Sequence, residues 1–188
     1  MVDETVTVKG SPVRSLQKFV EAELTAEQRD RLFHALPPEY AARFRAPILA
    51  TETLPVHMLN RLTEEAAKAK GEPLEAFARR AGREGASDAV KGIYRFFALV
   101  MTPAAVLGKV SAMWNAMYNR GELRVDEQTD KSARIRIVAF PSEPAMCARF
   151  TGWIERMAEL TGVKNIELKK TRCAAQGEDC CEWKLQWQ

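Results

Sequence analysis

Histidine is scarce in this chain: 188 residues hold two, His34 and His57. Acid–base and nucleophilic catalysis need a base beside a nucleophile, or paired carboxylates in a cleft. No G-x-S-x-G or comparable motif appears, so the residues read as a protein that is not an enzyme. Long apolar runs are also missing. The longest, "FFALVMTPAAVLG" (96–108), is broken by Thr102-Pro103 and falls short of the ~20 residues that span a bilayer. "MVDETVTVKG" opens acidic and polar, with no apolar leader, and neither end carries a lipidation motif. Charge of one sign is lacking too. Lys and Arg number 28 against 25 Asp and Glu, for a net charge of +3, which implies neither nucleic acid nor a membrane surface without a local cluster. The expected compartment is the cytoplasm, where the four cysteines stay reduced.

The hydrophobic fraction, 46%, is enough for a sizeable core in one domain. Residues 1–10 read as a loose arm and 11–188 as a single domain, helical over 11–120 and sheet-forming over 121–188. Ser11-Pro12 reads as a helix start, and Thr25 with Gln28 as a capping box ended by Pro37-Pro38. "PEYAARFRAPIL" suggests a short helix and "PVHMLNRLTEEAAKAKG" a longer one closed by Gly71. A long helix over 73–101 holds Gly82, Gly85 and Gly92, each costing about 1 kcal/mol against alanine, which implies a close helix contact or a break. Thr102-Pro103 starts a further helix, with an apolar stripe from Val106 to Tyr118 and a stop at Gly121.

From there the period changes to two. "ELRV" and "ARIRIVAF" alternate as an antiparallel hairpin, and "SEPAMCARFTGWIERMAELTG" is an amphipathic helix bounded by Ser142 and Gly162. "KNIELKKTRCA" and "CEWKLQW" form a second hairpin. The fold class is therefore α+β: an N-terminal helical bundle packed on a four-stranded antiparallel sheet, with a β-β-α-β-β ending.

That ending carries a spacing. Cys173, Gly177 with an acidic neighbour, Cys181 and then alternating aromatic and aliphatic residues resemble the closing hairpin of the 4-vinyl reductase domain. That family shares its fold with the haem-nitric-oxide-binding sensors and with small TRAPP subunits. The whole chain also resembles a family of myxobacterial paralogues, on "SLQKFVEAEL", "ARRAGR", "GIYRFF" and "W-x-x-x-Y-x-x-G". The resemblance implies a ligand sensor, a protein–protein adaptor around an acyl tunnel, or a haem protein, and fold cannot choose among them.

In the aromatic-sensing activators of that family, a zinc is held by three cysteines and a carboxylate. The resemblance places Cys147, Cys173 and Cys181 at the three thiol positions, but the carboxylate's place is held by Lys170. An ammonium cannot coordinate, and tetrahedral zinc needs a fourth donor or an open water position. Two readings stay open, zinc on the three thiols or a small thiol core, with a redox pair as a third. Cys180 points to the other strand face and reads as the exposed thiol. Haem would need a proximal histidine on a helix and a Tyr-x-Ser-x-Arg motif, and the latter is absent.

Phe96, Phe97, Met101, Trp114, Met117 and Tyr118 lie on the two helices that wall the family's cavity. They read as plain core or as the lining of a site for a small apolar ligand. Trp153, Trp183 and Trp187 read as packing between the sheet and the last helix. The basic "ARRAGREG", with Lys91 and Arg95, reads as a solvated face interrupted by Glu84 and Asp88, not a nucleic-acid stripe. The expectation is a non-enzymatic cytoplasmic sensor or signalling domain that binds a small apolar ligand, dimerises, or docks a protein partner. Its alternatives are a TRAPP-like structural adaptor without ligand and a zinc-containing transcriptional regulator domain. No cofactor is certain.

Overall fold

A computed structural model of the chain describes residues 6–91 and 102–188. The N-terminal arm is in fact an ordered edge from Val6 onward. β1 (Thr7–Lys9) pairs antiparallel with β2 (Thr53–Pro55), and Val6 and Val8 are fully buried. A polar-looking segment is anchored because its alternating valines fill the core while Asn119 Oδ1 accepts from the Thr7 N–H.

Five helices follow among the described N-terminal residues: α1 (Gly10–Glu23), α2 (Ala26–Ala35), α3 (Pro38–Arg45), α4 (Val56–Lys70) and α5 (Leu74–Lys91). α1 opens at Gly10, one residue before Ser11, because Gly10 packs its backbone against Leu49 where a Cβ would meet the carbonyl at 2.0 Å. α2 carries the capping box of Thr25 and Gln28, and α4 ends on Gly71 at φ 79°. Residues 92–101, with Gly92, Phe96, Phe97 and Met101, lie outside the described residues.

Thr102 caps α6 (Pro103–Leu107) by accepting from the Ala105 N–H at 3.3 Å. The stripe expected as one helix is split: Gly108 and Lys109 form a turn before α7 (Val110–Met117). α5 crosses α8 (Pro144–Leu160) at Gly82 and Gly152. A Cβ on Gly82 would lie 1.9 Å from the Arg149 carbonyl, and one on Gly152 1.9 Å from the Arg79 carbonyl. The glycine in the long helix marks a close contact, not a break.

The sheet is antiparallel in the order β3 (Glu122–Gln128), β4 (Ser132–Val138), β6 (Cys180–Gln186), β5 (Glu167–Arg172). Ala133, Ile135, Ile137, Cys181, Trp183 and Leu185 are buried at alternate positions on its inner face, while Arg136, Lys184 and Gln186 share the outer one. The molecule is α+β, with helices packed on this sheet. No helix among the described residues is long and apolar enough to cross a membrane.

Candidate functional site

Two features gather on the inner sheet face, one beneath each half of α8. Beneath its C-terminal half is an apolar cavity of about 30 Å³, bounded by α6, α7 and the sheet. Its walls include Val106, Val110, Ile135, Met157, Leu185 and Trp187, with Trp153 and Pro103 at the edge. The volume holds about one water-sized molecule, and the apolar lining gives a water no partners. The pocket arises from the helix break at Gly108 and Lys109, which separates Val106 and Leu107 from Val110 on its rim.

Trp114, Met117 and Tyr118 do not line this cavity. Trp114 stacks on Tyr118 at 4.4 Å between centroids and meets Phe140 and Phe150 at 4.9 and 5.3 Å. Its Nε1–H donates to the Arg120 carbonyl at 2.8 Å. Met117 Sδ accepts from the Ser11 hydroxyl at 3.4 Å. These residues form a packed aromatic knot joining α7 to β1 and α8, which helical periodicity cannot tell from a cavity wall. The cavity's lining comes from five separate stretches of chain, so no local pattern in the sequence announces it.

Beneath the N-terminal half of α8 the three cysteines converge. Cys147 Sγ lies 3.1 Å from Cys181 Sγ and 3.8 Å from Cys173 Sγ, and all three sulfurs are buried within 4.8 Å of one another. Lys170 Nζ donates to Cys173 Sγ at 2.8 Å and lies 5.9 Å from the Trp183 ring. Strict alternation would put Lys170 and Cys173 on opposite faces. The register shift between Lys170 and Arg172 restores them to the same side. Among the described residues no histidine or carboxylate joins the cluster.

The sulfurs are electrically unlike. The Cys181 thiol is held down to about 5, chiefly by the hydrogen bond from Cys147, against the opposing effect of burial. The Ser142 hydroxyl, the Ala174 N–H and the Lys170 charge add to the lowering. Cys147, which supplies the proton of that bond, is pushed up by the same contact and by burial. The pair thus behaves as one thiol donating to one thiolate. Burial opposes the charge on Lys170, but the bond to Cys173 and the nearby sulfurs outweigh it and raise its pKa. A cation already fills the place of a fourth ligand, so the cluster lacks the donor set of a closed structural zinc site.

Cys180 is buried, contrary to its expected exposure. Burial raises its thiol, with Arg136 and Asp179 hydrogen-bonded against it on the outer face. The basic helix is neutralised in place. Arg79 pairs with Glu155, Arg80 with Glu23 and Glu72, Arg83 with Glu159, and Lys91 with Glu84 and Asp88. Arg95 lies outside the described residues.

No protein-family profile matches the sequence, and no curated protein matches it. Solved structures do match in fold. The Fe(II) unliganded H-NOX protein from K. algicida superposes with a TM-score of 0.74 at 13% identity, covering 96% of each chain. An H-NOX protein from S. oneidensis in its Fe(II)NO state gives 0.73 at 14%, covering 96% of this chain and 99% of that one. An oxygen-binding H-NOX domain related to soluble guanylate cyclases, in its oxygen complex, gives 0.72 at 14%, covering 96% and 95%. These findings correct the resemblance to 4-vinyl reductase and TRAPP domains drawn from the closing hairpin: the structural neighbours are H-NOX domains, and what is shared is the fold.

Haem is the group this fold brings to mind, and the described residues do not fit it. A haem iron needs an axial His, Cys, Met or Tyr and room for the macrocycle. His34 is exposed on α2 and bonds Asp30, while His57 on α4 bonds the Tyr40 hydroxyl. Neither imidazole lines the cavity; among its described walls the one candidate axial atom is the Met157 sulfur, and Tyr94 and Met101 lie outside the described residues. Tyr118 sits in the aromatic knot, where burial pushes its phenol up to about 12, against the phenolate that iron would need. About 30 Å³ cannot hold a porphyrin.

Proposed function

We propose that this chain is a non-catalytic sensor domain on the H-NOX fold that works without haem and takes a small apolar molecule in the cavity under α8. The observation that carries this is the cavity itself, a partly open and almost wholly apolar cleft between the helices and the sheet. Apolar walls of this kind offer a water few partners and suit an apolar guest. At about 30 Å³ it suits one or two heavy atoms, and anything larger must displace the Met157 or Trp187 side chain. The neighbouring H-NOX structures include an oxygen complex and an Fe(II)NO state. Here a guest of that size would be held by packing alone, with nothing on the walls to activate it.

A guest shifts a conformational equilibrium only by its differential affinity for the two states. The two-residue turn between α6 and α7 borders the cavity and is the natural element to move, altering the helical surface offered to a protein partner or a second copy. Xenon is the probe that tests the site. Xenon NMR of the purified chain should show one saturable site, lost in Ala158→Leu, whose added methyls fill the cavity. Binding unaffected by Ala158→Leu, or no binding at all, overturns the reading and favours a structural adaptor with a filled core.

A further inference from the structure

The cluster beneath the N-terminal half of α8 is independent of the cavity. We infer that Cys147 and Cys181 form a peroxide-responsive dithiol, which a hydroperoxide converts to a disulfide tying α8 to β6. Three geometric facts carry this. The two sulfurs sit 3.1 Å apart on separate elements with no bond between them. That is the near-attack range in which a bound pair reacts as one unit. The two sulfurs share one hydrogen bond, so the accepting sulfur presents lone pairs as a nucleophile, and its partner is placed to attack it next. Cys173, at 3.8 Å from Cys147, has its sulfur engaged by Lys170 and stands second in reach.

The step balances as follows. The Cys181 thiolate attacks one oxygen of the hydroperoxide; a sulfur–oxygen bond forms, the oxygen–oxygen bond breaks, and the leaving oxygen takes up a proton. Cys147 sulfur then attacks the sulfenic sulfur of Cys181; a sulfur–sulfur bond forms, and hydroxide leaves with the Cys147 proton as water. Two thiols are oxidised by two electrons, and one peroxide is reduced to water and an alcohol, or to two waters for hydrogen peroxide. A dithiol reductant reverses it. Lys170 steadies negative charge on the sulfurs through both steps and repels a divalent cation that would otherwise trap them.

The test is a thiol census on the full chain. Reduced protein is treated with hydrogen peroxide, the peroxide is quenched, and the chain is unfolded without reductant in excess alkylating agent, so that every remaining thiol is capped before mass analysis and peptide mapping. Two of the four cysteines should escape alkylation. The mass should fall by two hydrogens, one peptide pair should join Cys147 to Cys181, and dithiothreitol should restore all four thiols. Cys173→Ser should keep the link, whereas in Cys147→Ser dimedone should trap Cys181 as a sulfenic acid. The wild-type map stands alone if Cys147→Ser fails to fold. Four alkylated thiols after a peroxide excess that oxidises free cysteine would overturn the proposal. So would a link from Cys173 to Cys181, or one equivalent of zinc co-purifying with the three thiols protected.

Discussion

The side chains that set the chemistry under α8 are Cys181 and Lys170, and their effect shows as a pH dependence. The ordinary thiol value is 9.0, and the hydrogen bond from Cys147 lowers Cys181 to about 5. A depressed acid contributes stability that is fully present above 9.0 and is lost as pH falls through about 5. Cys147, pushed the other way, offsets part of it, so the pair titrates together. Peroxide consumption by the reduced chain should therefore be flat from roughly pH 6 to 8 and fall below about 5. A rate that climbs steadily toward pH 9 would mean an ordinary buried thiol. Lys170→Met should slow the reaction without abolishing it. The spacing of Cys173, Gly177 and Cys181 was legible in the sequence, and so was Lys170 in the place of a carboxylate. What the sequence could not tell is how Lys170 and Cys173, three residues apart on a strand, come to face the same side. That depends on the register shift before Arg172, and nothing in "KKTRC" announces one.

Among the elements, the α5–α8 crossing fixes the platform on which both sites rest. Gly82 and Gly152 let the two backbones touch, and Arg79 and Arg83 on α5 seal the edge by pairing with Glu155 and Glu159 on α8. Arg149, one turn before Gly152, is buried and bonds Asn60 Oδ1 at 2.7 Å and Thr63 Oγ1 at 3.1 Å on α4. Burial lowers its pKa to about 10, against the smaller opposing effects of Tyr118, Glu143 and Glu64. Gly82→Ala or Gly152→Ala must push the helices apart, since the new Cβ would lie 1.9 Å from a backbone carbonyl. Each should destabilise the fold by about 3 kcal/mol or slightly more, read from urea unfolding. Gly85→Ala is the control: its Cβ would meet only the Ser15 hydroxyl, at 4.0 Å, and should be neutral or mildly stabilising. The sequence pointed to a contact at Gly82 through the cost of glycine in a helix. Gly152 escaped notice because its helix also holds Pro144 and a strong apolar stripe, which already accounted for the segment.

For the whole molecule, the alternating strands, the caps and the Pro-marked helix starts were enough to read an α+β fold with a β-β-α-β-β ending, because each is a local signal with a fixed period. The edge formed by Val6 and Val8 was not legible, since its pairing partner, Thr53–Pro55, lies more than forty residues away. The cavity's lining was not legible for the same reason: Trp153 and Trp187, read as sheet packing, border it, while Trp114 and Tyr118 fill a knot beside it and Phe96, Phe97 and Met101 lie outside the described residues. Both sites sit under one helix, so a guest at the C-terminal half of α8 and a disulfide at its N-terminal half would bias the same element. The central claim is that, among the described residues, this H-NOX-like fold carries a cavity too small for haem. Its most direct test is the visible absorption and iron content of the full chain after incubation with excess hemin and gel filtration. The account predicts no Soret band and iron far below one equivalent per chain; a Soret band with one iron per chain would contradict it.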